Sequence, residues 1–115
     1  MKDEWHGEFK QDEDLLEELQ KFAEEKEIEE GWFSIIGAVK NSKVAFYDQK
    51  EEKYLSMELD EPGEILHCTG NFRMKDGKPF VHAHITLGAK NGSAYGGHLM
   101  KAKIFKAQYY IKRFK

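Results

Sequence analysis

The sequence predicts an α+β fold in which one amphipathic helix packs on a mainly antiparallel sheet of about seven strands, in a single domain of residues 1–115. Apolar residues recur at helical spacing in one stretch near the N-terminus, whereas the later segments alternate apolar and polar residues or run continuously apolar, as strands do. Short turn signals between these segments indicate antiparallel neighbours. With 40% hydrophobic residues in 115, the chain can form one core.

The predicted helix follows Asp12, which is the expected N-cap. Its apolar positions have helical spacing and comprise Leu15, Leu16, Leu19, Phe22 and Ala23. Gly31 is the expected C-terminal stop. Residues 1–11 show no clear period, so we expect an irregular or edge segment there.

Seven segments after Gly31 have the pattern of strands. They cover residues 32–39, 43–48, 54–59, 64–74, 80–87, 98–105 and 108–114. The first is almost continuously apolar, which predicts a strand buried on both faces. Asn41-Ser42 is expected to turn the chain into the second strand. Asp76-Gly77 is the strongest hairpin signal and joins the fourth strand to the fifth.

The fifth strand carries two histidines one residue apart. His82 and His84 alternate with aliphatic residues, so both imidazoles are expected on the same face. A glycine-rich loop, residues 88–97, is expected to deliver His98 through Gly96-Gly97. Three imidazole nitrogens match a catalytic metal site, because they leave one coordination position open for water or substrate. The alternative is that these histidines lie at a surface or subunit interface and bind no metal.

Charge is distributed unevenly along the chain, although the net charge is only −3. Residues 1–30 carry thirteen acidic and four basic residues, and no acidic residue follows Asp76. The basic residues near the C-terminus are interleaved with aromatic ones and include Lys101, Lys103, Lys106, Lys112 and Arg113. Such a pattern is typical of a nucleic-acid surface. It also fits an ordinary terminal strand, or charge pairing of the two ends within one fold or between subunits.

The single cysteine, the lack of a long apolar run and the abundance of Lys and Glu bear on the cellular location and source of the protein. Cys68 is the one cysteine, and we expect it to be a buried small apolar residue because its neighbour His67 faces the other side of the strand. No apolar run is long enough to span a bilayer and no apolar signal core is present, so the sequence predicts a cytoplasmic protein without a membrane partner. The abundance of Lys and Glu favours a thermophilic source.

Several motifs in fixed order resemble the plants-and-prokaryotes conserved (PPC) domain, from Asp12 to about Tyr110. They are the DLLEEL helix, Ile35-Ile36-Gly37-Ala38, GEIL at residues 63–66, GNF at residues 70–72, DGKPFVHAH at residues 76–84 and GGHL at residues 96–99. The resemblance implies an α+β fold and a homotrimer. It also implies DNA association for stand-alone prokaryotic members and partner binding for plant members. An Arg-Gly-Arg-Pro AT-hook is absent from this sequence, and Pro62 stands where the plant motif has arginine.

The fold is also similar to that of zinc-dependent acetolactate decarboxylase, which holds zinc with a His-x-His strand and a later histidine. His82, His84 and His98 match those positions. Two hypotheses follow. The first, which is favoured because the family resemblance implies it and no complete catalytic set is visible, is a homotrimeric module that acts through DNA or protein contacts, with any metal structural. The second is a small zinc-dependent lyase or hydrolase that acts on a carbonyl substrate through the three histidines.

Overall fold

The computed structural model describes residues 2–115. These residues contain one helix and six strands. In chain order they are β1 (Glu4–Phe9), α1 (Leu15–Glu25), β2 (Gly31–Asp48), β3 (Lys53–Leu59), β4 (Gly63–Lys75), β5 (Lys78–Gly88) and β6 (Ala94–Arg113). No helix within these residues is both long and apolar enough to cross a bilayer.

All the strand pairings are antiparallel, in the order β1-β6-β5-β4-β2-β3. β6 also pairs with β2, so that β2, β4, β5 and β6 form a closed ring of strands while β1 and β3 extend it. The helix packs against β5 and β6. These features confirm the predicted α+β class.

The number of strands corrects the prediction of about seven. Asn41-Ser42 forms no turn: β2 runs through both residues, which pair with Lys103 and Ala102 of β6. β6 likewise continues through the predicted break near residue 106, and residues 4–9 add an edge strand. Because β2 and β6 pair with each other along most of their length, each continued strand keeps its backbone hydrogen bonds.

Burial of β2 on both faces was also predicted wrongly. Phe33 and Ile35 are fully buried, whereas Trp32 is 44% exposed and Ile36 is 51% exposed. One face of β2 therefore lies in the core, and the other belongs to an outward-facing surface of the sheet that carries several large apolar side chains.

Both helix ends differ from the predicted ones. Asp14, not Asp12, is the N-cap, and its carboxylate accepts a hydrogen bond from the Glu17 N–H at 3.0 Å. At the other end, the Ile28 N–H donates to the Ala23 carbonyl, and the intervening Glu27 has φ of 53°. This is a Schellman motif with glutamate at the position that glycine usually occupies. Gly31 instead begins β2.

The core lies between the helix and the inner face of the ring. Its fully buried large side chains include Leu15, Leu19, Phe33, Phe72, Ile85 and Ile104. Cys68 is also fully buried, as predicted, and burial raises the pKa of its thiol to about 12. The Asp76-Gly77 hairpin is confirmed, with φ of 52° and 79° in a two-residue turn between β4 and β5.

Candidate metal centre

β5 presents two of the predicted ligands on the outward face of the sheet. Ala83 and Ile85 point into the core, whereas His82 and His84 are exposed, which confirms the predicted alternation. The neighbours of the two histidines across β4 are Asn71 and Thr69, respectively. Local strand geometry alone therefore places both imidazoles side by side.

The third histidine arrives on a strand rather than on a loop. β5 ends at Gly88 and β6 begins at Ala94, so Gly96 and Gly97 lie within β6, contrary to the predicted loop of residues 88–97. His98 pairs directly with His84 on one side and with Ala45 on the other.

The two glycines permit this arrangement because β6 is crowded from both sides. A Cβ atom at Gly96 would lie 2.1 Å from the Ile85 carbonyl oxygen, and one at Gly97 would lie 2.5 Å from the Ala45 carbonyl oxygen. Both distances are too short for any side chain. Glycine therefore lets β6 approach β5 and β2 at the point where His98 enters the cluster.

The three imidazoles have metal-ligand spacing. His82 Nε2 lies 3.2 Å from His98 Nδ1, and one ring nitrogen from each histidine lies within 4.8 Å of the other two. Ligand nitrogens at the corners of a zinc tetrahedron are about 3.3 Å apart, given Zn–N bonds of about 2.0 Å. The cluster could therefore hold a metal ion with only small side-chain adjustments.

The environment of His98 favours the neutral imidazole that a metal requires. Burial, followed by the nearby His84 and His82 rings, lowers the pKa of His98 from its ordinary value of 6.5. Because protons compete with metals for the same nitrogen, a lower pKa keeps His98 available as a ligand at neutral pH.

Aromatic residues that the sequence analysis missed flank the cluster. The Tyr54 ring contacts His98 edge-on with centroids 4.9 Å apart, and Tyr47 lies 5.0 Å from Tyr54. Tyr54 lies on β3, and its place beside His98 depends on the register of β3 with β2 and of β2 with β6. No local sequence signal reports such a register.

The predicted basic residues do not form one free surface. Lys106 and Lys112 lie 3.8 and 3.5 Å from the carboxylates of Glu8 and Glu4, respectively. Arg113 binds Asp3 at 3.3 Å and donates to two backbone carbonyl groups. The acidic N-terminal segment thus pairs with the basic C-terminal strand within one chain.

Two of these predicted residues remain exposed on β6. They are Lys101 and Lys103, and Lys101 lies directly opposite Lys43 of β2. The three lysines lie on a different part of the ring from β1 and its carboxylates, but Lys103 pairs with Asp14 and lies near Asp12.

The fold and the cluster together define a small α+β domain with a three-histidine candidate metal centre on its outer face. The chain belongs to the Plants and Prokaryotes Conserved (PCC) domain family, also abbreviated PPC, whose model matches residues 3–115. A metal-containing protein from Archaeoglobus fulgidus is 39% identical and superposes with a TM-score of 0.92 over 96% of this chain and 78% of that one. A PPC protein from Pyrococcus horikoshii is 31% identical, with a TM-score of 0.94 over 97% of this chain and 78% of that one.

Two further solved structures bear on the functional hypotheses. A candidate DNA-binding protein from Bacteroides thetaiotaomicron is 25% identical and has a TM-score of 0.94 over 100% of this chain and 81% of that one. A Staphylococcus aureus protein described as similar to alpha-acetolactate decarboxylase is 16% identical, with a TM-score of 0.66 over 100% of this chain and 54% of that one. The latter confirms the similarity of fold alone.

A curated relative is much longer than this chain. The bifunctional protein GlmU of a Synechococcus strain is 33% identical over 87 residues, which cover 75% of this chain but 13% of that protein. The similarity is therefore confined to a small part of that protein.

Proposed function

We propose that this chain binds a divalent metal, zinc in the first instance, through His82, His84 and His98. The observation that carries the proposal is the convergence of three imidazole nitrogens, two of them 3.2 Å apart, on one face of the sheet. The 39% identical Archaeoglobus fulgidus protein is described as metal-containing, which supports it. The chemistry of the donors also fits, since neutral imidazoles are typical zinc ligands.

The ligand number favours a reactive site over a structural one. Structural zinc sites are closed by four protein ligands, whereas within residues 2–115 this group comprises three. A bound zinc with an open position would supply a Lewis acid for a carbonyl oxygen. His82 and His84 are exposed, so that a small molecule can reach the cluster from the outer face. A zinc-dependent lyase or hydrolase is therefore the enzyme class that we propose.

Zinc affinity, measured by competition with a chromogenic chelator, tests the proposed ligands. His82→Ala or His98→Ala is expected to weaken zinc binding at least about tenfold, as the loss of one of three ligands should. The chain supplies its own matched controls, His6→Ala and His67→Ala, which remove exposed histidines outside the cluster and should leave affinity unchanged. Equal affinities for all four variants would contradict the proposed site.

A homotrimer is the assembly that we propose for this domain. The outward surface of the sheet exposes large apolar side chains, including Ile36, Leu66, Phe80 and Tyr110. The β2–β3 ribbon adds Phe46, which is 69% exposed, and Leu55 and Met57, which are about half exposed. A second copy of the chain is the partner that the family resemblance indicates for this apolar surface.

DNA association is the second candidate function. It is favoured by the Bacteroides thetaiotaomicron protein named as a candidate DNA-binding protein and by the exposed lysines Lys101 and Lys103, which lie beside the partly buried Lys43. Fluorescence anisotropy with duplex DNA at several salt concentrations tests it. Lys101→Glu with Lys103→Glu should abolish a salt-dependent affinity, whereas Lys112→Glu should change it little, because Lys112 already lies beside Glu4. Absence of such an affinity in the unmodified chain would exclude this function.

Three other properties stay predictions of the sequence. They are a protein partner other than a second copy, a cytoplasmic location and a thermophilic source.

A further inference from the structure

A cleft of about 280 Å³ lies on the outer side of the sheet near the start of β2. Its walls include Glu30, Trp32, Asn71, Arg73 and Phe114. Trp32 of β2 and Asn71 of β4 are direct cross-strand partners, and so are Asn71 and His82 of β5. Residues paired in this way present their side chains to the same face. Asn71 of the cleft wall therefore lies next to His82 of the three-histidine cluster.

Arg73 supplies this cleft with an unpaired positive charge. It is exposed on β4, and no carboxylate in residues 2–115 lies within 4.0 Å of its guanidinium group. The other arginine, Arg113, is by contrast held by Asp3 and two backbone carbonyl groups. A free guanidinium group presents a planar set of donors that fits a carboxylate in bidentate fashion.

Aromatic side chains give the cleft an apolar wall. The Trp32 Nε1–H donates to the Thr69 hydroxyl oxygen at 3.1 Å, which orients the indole ring, and the ring itself remains 44% exposed. Phe114 is 65% exposed. The cleft can therefore cover a short hydrocarbon segment next to the arginine.

Arg73 lies at a distance from His82 that a small molecule can span. Asn71, the partner of His82, is two residues from Arg73, or about 7 Å along β4. A molecule of a few carbon atoms bound to Arg73 would extend past Asn71 towards the cluster.

We infer that this cleft binds a small organic carboxylate, with Arg73 holding the carboxylate group and Trp32 and Phe114 covering the carbon skeleton. The inference deepens the proposed function, on which it rests for the position of the ligand's other end near His82. Glu30 also lines the cleft, and its carboxylate opposes an anionic ligand. Its removal should therefore strengthen binding.

Calorimetric titration of the zinc-loaded full chain with succinate tests the inference, with neutral butane-1,4-diol as the matched ligand. We expect saturable binding of succinate alone, weakened at least about tenfold by Arg73→Gln, as expected on loss of a charge-assisted bidentate contact. Glu30→Gln should tighten binding by about two- to fivefold. The control is Lys75→Gln, because the Lys75 ammonium group lies over the Phe80 ring and is not part of the cleft wall; it should have no effect.

Measuring the zinc content of each sample distinguishes failure of the carboxylate cleft from failure of the proposed metal site. Equal succinate affinity of the unmodified chain and Arg73→Gln, both loaded with zinc, would overturn the carboxylate cleft and leave the metal site standing. Absence of saturable succinate binding would also overturn the carboxylate cleft and leave the metal site standing. Arg73-dependent binding by a chain that takes up no zinc would support the cleft and overturn the metal site.

Discussion

His98 is the least exposed of the three clustered histidines. It is half-buried between two strands, whereas His82 and His84 are exposed. Burial and the two neighbouring imidazoles all lower the pKa of His98, so that this residue resists protonation in the folded chain.

The lowered pKa of His98 should appear in the stability of the metal-free protein. Below pH 6.5 the unfolded chain takes up a proton at this position that the folded chain resists, so the free energy of unfolding should fall as the pH decreases from 7 to 5. Above that range both states are neutral there and the effect vanishes. Urea unfolding at pH 7, 6 and 5 measures it. His98→Asn should lose less stability over this range than the unmodified chain, and identical pH dependence of the two would contradict the account.

At the level of elements, Asp14 joins the helix to the sheet. One carboxylate oxygen caps the helix through the Glu17 N–H, and the other accepts a hydrogen bond from the Ala102 N–H of β6 at 2.8 Å. The helix is thereby anchored beside β6, the strand that carries His98.

Asp14→Ala should therefore destabilise the protein by about 1–3 kcal/mol, since it removes a helix cap and leaves a partly buried N–H group without its acceptor. Asp12→Asn is the matched control. It removes the exposed ion pair with Lys40 and a weaker attraction to Lys103, and asparagine tolerates the positive φ of this position, so the expected cost is below about 1 kcal/mol. Chemical denaturation measures both variants. A larger loss for Asp12→Asn would show that the cap is Asp12, as the sequence pattern had indicated.

Elements that are formed by interactions between neighbouring residues could be predicted from the sequence, whereas elements that depend on residues far apart in the chain could not. The alternation that places His82 and His84 on one face, and the turn at Asp76-Gly77, are local features and were predicted correctly. Asn41-Ser42 resembles a turn locally, but pairing with β6 keeps it in a strand.

In the candidate site, too, the local features were predictable and the long-range ones were not. The three histidines could be proposed from their spacing and from the family resemblance, whereas the positions of Tyr54 and Arg73 depend on strand registers that the sequence pattern does not reveal. The helix ends were missed because Asp12 and Asp14 are equally good caps by residue type, and because glutamate at position 27 gives no glycine signal.

At the scale of the whole molecule, the outward surface of the sheet exposes several large apolar side chains. Ile36, Phe46 and Tyr110 are each more than 50% exposed. The homotrimer proposed above would bury apolar side chains of this kind.

Sedimentation equilibrium should therefore give a mass three times the 13.4 kDa of one chain. Ile36→Lys places a charge on the apolar surface and should shift the equilibrium towards monomers, without loss of the strand signal in circular dichroism. Lys90→Glu, in the exposed turn between β5 and β6, should leave the trimer intact. A monomer in the unmodified chain would contradict the proposed assembly.

Elemental analysis of the untagged protein, beside the double variant His82→Ala, His84→Ala, tests the central claim most directly. The account predicts about one zinc ion per chain in the unmodified protein and none in the double variant, because three imidazoles form the site. No metal in the unmodified protein even after incubation with zinc, or equal zinc in both proteins, would contradict it.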